Sequence, residues 1–194
     1  MMMRRLYDWM MRMAAHPNAP RALFGIAFVE SSVFPIPPDV MLVPMILAER
    51  NKAWTYANIC LIGSVLGGLL GYAIGYYLFA SIGEAILNIY GLTEKYAQAR
   101  TLLADWGPRI LIAKGFTPFP YKVLTIAAGV FKMDLVSFIL ASIVARAMRF
   151  YLVAGLLYWF GDPIRTFVER RLGLVTTAFI VLLVGGLLAV RFVF

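Results

Sequence analysis

Cysteine and histidine are nearly absent, with Cys60 and His16 the lone representatives in 194 residues. A single cysteine closes no internal disulfide and no CxxC metal site. A single histidine ahead of the apolar region leaves zinc, haem and Ser-His-Asp chemistry without their usual ligands or base. Nor is a nucleophile placed beside a base, so no enzyme, metal or cofactor is expected. Charge is scarce too, at 14% where soluble domains carry about 25%. Hydrophobic residues make up 62% of the chain, with a mean hydropathy of +0.81, which excludes a soluble single-domain enzyme. The 18 Lys and Arg outnumber the 10 Asp and Glu for a net charge of +8, yet they are scattered between apolar blocks and massed on no one face. That pattern fits membrane topology and not nucleic acid.

The blocks predict an all-α integral membrane protein. Residues 1–20 carry Arg4, Arg5 and Arg12 among Leu6, Trp9, Met10 and Met13, the pattern of an interfacial amphipathic helix. The apolar block at 21–48 is broken by Pro35, Pro37, Pro38 and Pro44 and charged by Glu30 and Asp39, so it reads as two short arms. Residues 54–80 form the cleanest spanning helix, uncharged, with Trp54 and Tyr56 at one end and Tyr76 and Tyr77 near the other as interfacial anchors. Along it Gly63, Gly67, Gly71 and Gly75 recur every four residues and lay a groove on one face, where a neighbouring backbone can approach closely. The mixed stretch 81–107 reads as an aqueous loop with one amphipathic helix. A second broken block, 108–131, contains Pro118 and Pro120 with Lys114 and Lys122. A long helix over 135–160 carries Arg146 and Arg149. The remainder, 161–194, is a polar turn and a final uncharged span at 172–190.

Sliding the chain by 83 positions, from Pro35 to Pro118, lays one broken block on the other. Both read Pro-apolar-Pro-x-charge-Val-apolar, with Asp39 over Lys122, and a long helix follows each. If the blocks are re-entrant hairpins, each repeat holds one crossing and the second copy enters from the opposite face; if they cross, the copies are parallel. The Lys and Arg counts put the N-terminus and the 162–171 turn in the cytoplasm either way. The prolines favour hairpins, since Pro-x-Pro removes two backbone donors and forces an extended turn that only protein or a watery cavity tolerates. Arms of ~13–15 residues span about 20 Å, reaching the midplane without crossing. The expected fold is therefore a helical bundle with two proline-containing re-entrant hairpins in an inverted pseudo-repeat.

Six ionisable residues fall inside apolar blocks: Glu30, Asp39, Lys114, Lys122, Arg146 and Arg149. At roughly 2.5–3.5 kcal/mol each, leaving them unpaired would cost on the order of 15–20 kcal/mol, beyond a typical stability margin. They must pair or be hydrated. The first hairpin supplies two acids and the second half four bases, which suggests Asp39 with Lys122 and Glu30 with Arg146 or Arg149. Ser142, Arg146 and Arg149 share a stripe at i, i+4 and i+7, presenting cations to one cavity that would attract an anion such as a phosphate head group.

The segment Glu30-Ser31-Ser32-Val33-Phe34-Pro35-Ile36-Pro37-Pro38-Asp39, the glycine helix, and Lys114-Gly115-Phe116-Thr117-Pro118-Phe119-Pro120-Tyr121-Lys122 ending in Ala127-Ala128-Gly129 together resemble the bacterial DedA family, also called VTT or SNARE-associated membrane proteins, and most of all its YqaA branch. The resemblance covers about residues 21–160. It implies a multi-pass protein of the bacterial inner membrane with opposed re-entrant hairpins, whose better-studied relatives translocate lipid phosphates such as undecaprenyl phosphate, or scramble phospholipids, with dependence on the proton gradient. Glu30 and Asp39 match the family's two hairpin acids, which implies a part in proton coupling. Where the family carries two arginines around the second hairpin's proline, this chain has Lys114 and Lys122 at a longer spacing. Lysine is a point charge and not a bidentate fork, so phosphate binding passes in part to Arg146 and Arg149.

The expected function is a proton-coupled lipid-phosphate translocase whose partners are an anionic membrane lipid and protons. An ion or small-solute transporter using the same charges is an alternative. So is a non-transporting scaffold whose glycine face recruits partners, a second copy of the chain among them.

Overall fold

The computed structural model describes residues 16–32, 37–83, 93–116 and 121–170, together with positions 87, 89 and 91. The greater part of the expected interfacial helix 1–20, the hairpin-tip residues Pro35, Pro118 and Pro120, and the final span 172–190 lie outside the described residues. Among the described residues every regular element is helical and none is a strand.

Among the described residues the order is a helix, a ten-residue helix and a long apolar helix, followed by a 24-residue helix, a second ten-residue helix and a 36-residue helix. Helices α1 (Ala19–Ser32), α2 (Asp39–Ala48) and α3 (Ala53–Leu78) are followed by α4 (Thr93–Phe116), α5 (Tyr121–Val130) and α6 (Leu135–Arg170). A 3-10 turn, Arg50–Lys52, leads into α3, and a π turn, Phe79–Gly83, follows it. Helices α3 and α6 run antiparallel. At one end the Trp54 ring packs on Tyr158 at 5.9 Å and on Trp159 at 6.5 Å. At the other the Tyr72 ring lies 5.0 Å from Phe138, and its hydroxyl donates to the Met133 carbonyl at 2.6 Å.

Two stretches, Arg50–Ser81 and Leu135–Gly161, are long and apolar enough to cross a membrane. Only 39% and 33% of their most apolar windows are buried, so these are not the enclosed core helices of a water-soluble domain. Ile62, Leu66, Leu70 and Ile74 form an outward apolar stripe along α3, and Val136, Leu140, Val144, Leu152 and Leu156 are exposed along α6. Such surface is costly in water and costless against lipid. From Trp54 to Tyr76 the helix rises about 33 Å, close to the ~30 Å hydrocarbon thickness, so the aromatic residues sit where interfacial anchors belong.

The glycine stripe of α3 seats two helices. Gly63 and Gly67 face the carbonyls of Phe24 and Phe28 on α1, while Gly71 faces Thr125 and Gly75 the Ile126 carbonyl on α5. Gly129 of α5 faces the Tyr72 carbonyl in return. Contacts this close require the absence of Cβ atoms on both sides. The face that a scaffold would offer to partners is thus occupied within the chain over these turns.

Two expected boundaries are corrected. Helix α4 runs unbroken from Thr93 through Pro108 to Phe116, so the helix expected within 81–107 and the first arm expected for the block 108–131 are one element. The change at 108–110 is one of polarity and not of backbone. Likewise α6 does not end at 160. It kinks at Phe160 (φ −115°, ψ 17°) and continues to Arg170. Pro163 explains the kink, because its missing N–H leaves the Trp159 carbonyl without an intrahelical partner. Arg50 replaces that donor, its Nη2 reaching the Trp159 carbonyl at 2.9 Å and its Nε the Tyr158 carbonyl.

The α5–α6 corner is a Schellman ending. The Met133 N–H bonds the Ala128 carbonyl at 2.9 Å and the Lys132 N–H the Gly129 carbonyl at 3.0 Å, with Lys132 at φ 53° where glycine is usual. Asp134 then caps α6, its Oδ2 accepting the Ser137 N–H at 2.8 Å, a bond that holds the carboxyl below its usual range. Replacing Lys132 by Gly removes the left-handed strain and should raise stability by up to about 1 kcal/mol, read as a higher unfolding midpoint in detergent; an unchanged or lower midpoint would show that the strain is already offset.

Candidate functional site

The apolar packing forms two clusters. One joins α1, α2, α3 and α6 around Leu23, Leu42, Met45 and Phe150; the other joins α4, α5 and α6 around Leu111, Tyr121 and Phe138. Arg146, fully buried, bridges them: its guanidinium carbon lies 4.3 Å from the Tyr121 ring centroid and 5.1 Å from that of Phe150. Two aromatic faces offset part of the cost of taking the cation out of water.

The rest of that cost is met by a hydrogen-bonded ring. Arg146 Nη2 lies 2.5 Å from Glu30 Oε2 and 3.1 Å from Ser31 Oγ, and Nε donates to Ser64 Oγ. Ser64 and Ser31 are 2.6 Å apart, and Ser31 donates to Glu30 Oε2 at 3.0 Å. Since Arg146 can only donate, the hydroxyl protons are consistently ordered from Ser64 to Ser31 to Glu30. The ring joins α1, α3 and α6 at the level of the glycine stripe, where Gly67 and Gly71 let α1 come close enough for Ser31 to reach Ser64.

One turn along α6, Arg149 Nη2 pairs with Asp39 Oδ2 at 2.5 Å, with about a quarter of each side chain exposed (25% and 26%). Asp39 opens α2, where the helix dipole also favours its charge. The expected pairing of Asp39 with Lys122 is therefore replaced by Arg149, because α2 packs on α6 and brings Asp39 to that helix. Of the two partners open to Glu30, the structure selects Arg146. Lys114 occupies the exposed last turn of α4, and Lys122 the partly buried first turn of α5, and neither is without an interaction. Thr125 donates to the Lys122 carbonyl at 2.9 Å and toward the Ser31 carbonyl at 3.4 Å, which ties α5 to the end of α1. Pro37 and Pro38 immediately precede α2.

Four buried polar atoms have no hydrogen-bond partner among the described residues: Asp39 Oδ1, Tyr121 Oη, Ser142 Oγ and Arg146 Nη1. Three of them belong to the surroundings of one guanidinium. Sequence reasoning missed Tyr121, Ser31 and Ser64. Tyr121 directly follows Pro118-Phe119-Pro120 in the sequence and looks like an ordinary interfacial aromatic. The two serines leave one signal, their place on the faces of α1 and α3 that small residues already mark for close packing.

Fold and site together define a membrane-associated helical protein that encloses two arginine–carboxylate pairs between apolar helices. The chain belongs to the VTT-domain (DedA) family, whose family model, the VTT domain, matches residues 36–159. It is similar to an uncharacterized protein of Haemophilus influenzae, 36% identical over 179 residues that cover 92% of this chain and 93% of the relative. It is also similar to an uncharacterized protein of Histophilus somni, 34% identical over 156 residues (80% and 81%), and to one of Methanocaldococcus jannaschii, 26% identical over 130 residues (66% and 76%). No solved structure matches.

Proposed function

We propose that the protein is a multi-pass transporter of the bacterial inner membrane that moves a lipid phosphate between leaflets, coupled to the proton gradient. In this reading α1–α2 and α4–α5 are re-entrant arms entering from opposite faces, an inverted repeat in which each copy supplies a hairpin and one spanning helix. The head group enters beside Arg146 and Arg149, with Lys114 and Lys122 at the approaches, while its tail stays in lipid. Protonation of Glu30 or Asp39 loosens the corresponding guanidinium and shifts which face is open.

The observation that carries this reading is the fully buried Arg146 paired with Glu30 in a bundle whose outer faces are apolar. Each acid neutralises one arginine, so an anion gains full use of a guanidinium only when that acid gives up its charge. Proton and substrate are then linked through one side chain. The family membership supports a membrane-associated, transporter-like role.

The test is uptake of a short-chain isoprenyl phosphate by vesicles holding the full chain, with and without an imposed pH gradient. Glu30→Gln keeps the side chain's shape and an acceptor for Arg146 but carries no titrating proton, so it should abolish the gradient-driven component. Gradient-driven uptake at the native rate in that variant would remove Glu30 from the mechanism, and no uptake by the native protein would reject the lipid-phosphate reading.

A further inference from the structure

The unused edge of Arg146 is the least explained feature of the buried cluster. Nε and Nη2 are engaged by Ser64, Glu30 and Ser31, whereas Nη1, with two N–H groups, has no partner. The Tyr121 hydroxyl, on a ring stacked against the same guanidinium, is also unpartnered, as is the Ser142 hydroxyl one turn before Arg146 on α6. These side chains are 0%, 1% and 0% exposed respectively. The two hydroxyls lie close enough to interact with one another, and neither reaches any further partner among the described residues. Gly68 leaves room for the tyrosine, since a Cβ there would stand 3.3 Å from its oxygen. Nη1 and the two hydroxyls thus share one buried neighbourhood, with the tyrosine ring on the guanidinium and Ser142 one turn before it on α6.

An unmet buried donor costs about as much as a good hydrogen bond contributes, so three such side chains side by side are maintained against a standing penalty. One cation edge flanked by two hydroxyls matches a tetrahedral oxyanion, which offers several acceptors and a negative charge. From this geometry we infer that Arg146 Nη1, Tyr121 Oη and Ser142 Oγ form the seat for the oxygens of a phosphate-type anion, with Tyr121 and Ser142 as binding residues. The inference rests on the proposed transport of a lipid phosphate and specifies where its head group is held. The chemistry is shared by a lipid head group and by free phosphate.

The experiment measures binding to the full chain in detergent, using inorganic phosphate, a short-chain isoprenyl phosphate and the matching uncharged isoprenol. Tyr121→Phe keeps the ring under the guanidinium and Ser142→Ala keeps the helix, and each removes a buried hydroxyl held at a cost, so both variants should unfold at or above the native midpoint. Each should weaken phosphate binding roughly tenfold, and the double variant more than roughly fiftyfold, with isoprenol binding unchanged. Losses on both phosphates support a seat for the shared anion, and losses on the lipid alone support a head-group seat that requires the tail. Native affinity for both phosphates in the double variant would overturn the seat while leaving the transport reading intact. Binding of neither phosphate by the native chain would overturn the seat too, and the vesicle assay would then judge transport independently.

Discussion

Arg146→Met is expected to destabilise the protein by about 3–5 kcal/mol, the penalty for leaving a buried charge without its partner. The variant strips Glu30 of its counter-charge at a position where the carboxylate is only 15% exposed, and it removes the donor that orders Ser64 and Ser31. Ordinary interhelical hydrogen bonds in membrane bundles contribute far less, about 0.6 kcal/mol on average, because the unfolded chain in lipid finds substitutes. A carboxylate facing hydrocarbon has no such substitute, so the ionic figure applies. Glu30→Gln should cost less than Arg146→Met, since the amide oxygen still accepts from Nη2. The double variant Arg146→Met, Glu30→Gln should recover much of the loss, with a coupling of about 2–3 kcal/mol between the sites. Arg149→Met makes the contrast: its pair with Asp39 is a quarter exposed, and about 1 kcal/mol is expected. Reversible unfolding in mixed micelles measures all four. Additivity of the Arg146 and Glu30 changes within about 0.5 kcal/mol would show that the pair does not hold α1 to α6.

The membrane character and the two long helices were legible because they depend on properties any window displays: an uncharged run at 54–80, aromatic ends, and glycines every four residues. That Glu30 and Asp39 would meet bases was legible from the cost of leaving them alone. Which base each would meet was not. Arg146 and Arg149 stand three residues apart on one helix, and the choice turns on where α1, seated on α3, ends and where α2 packs on α6, a tertiary fact with no local signal. The Asp39 to Lys122 expectation failed for that reason, since equivalence within a repeat says nothing of proximity. The change from mixed to apolar residues at 107–110 was legible, but the backbone that carries it was not. Proline usually marks a helix boundary, and here it coincides with a shift from polar to apolar residues, yet α4 passes through both. Pro163 does break the regularity of α6, with the kink three residues earlier, at Phe160. The partnerless hydroxyls of Tyr121 and Ser142 were beyond sequence reasoning, because a missing hydrogen bond is a property of the packed interior alone.

Gly67→Ala and Gly75→Ala should each lower stability by about 3 kcal/mol, at the top of the range for overpacking, and Gly67→Leu should leave no folded protein. The reason is the identity of the neighbour. A Cβ at Gly67 would run into the Phe28 carbonyl, with the Phe28 Cα at 3.0 Å, and one at Gly75 into the Ile126 carbonyl, with the Val130 nitrogen at 3.1 Å. These are backbone atoms within helices and have no rotamer to escape into, so a whole helix must back away. Gly25 provides the control: a Cβ there meets nothing within 4 Å, so Gly25→Ala should instead raise stability by about 0.5–1 kcal/mol through its better helix propensity. The opposite signs, measured as unfolding midpoints in detergent, test whether α1 is seated on α3 as described; a Gly67→Ala protein as stable as the native chain would show that it is not. The same displacement bears on the site. Phe28 and Ser31 lie within one turn of α1, so lifting that helix by about an ångström lengthens the 2.6 Å Ser31 to Ser64 contact past hydrogen-bond range. Gly67→Ala should therefore lose gradient-driven uptake under conditions where it is still folded, whereas Gly25→Ala should transport at the native rate.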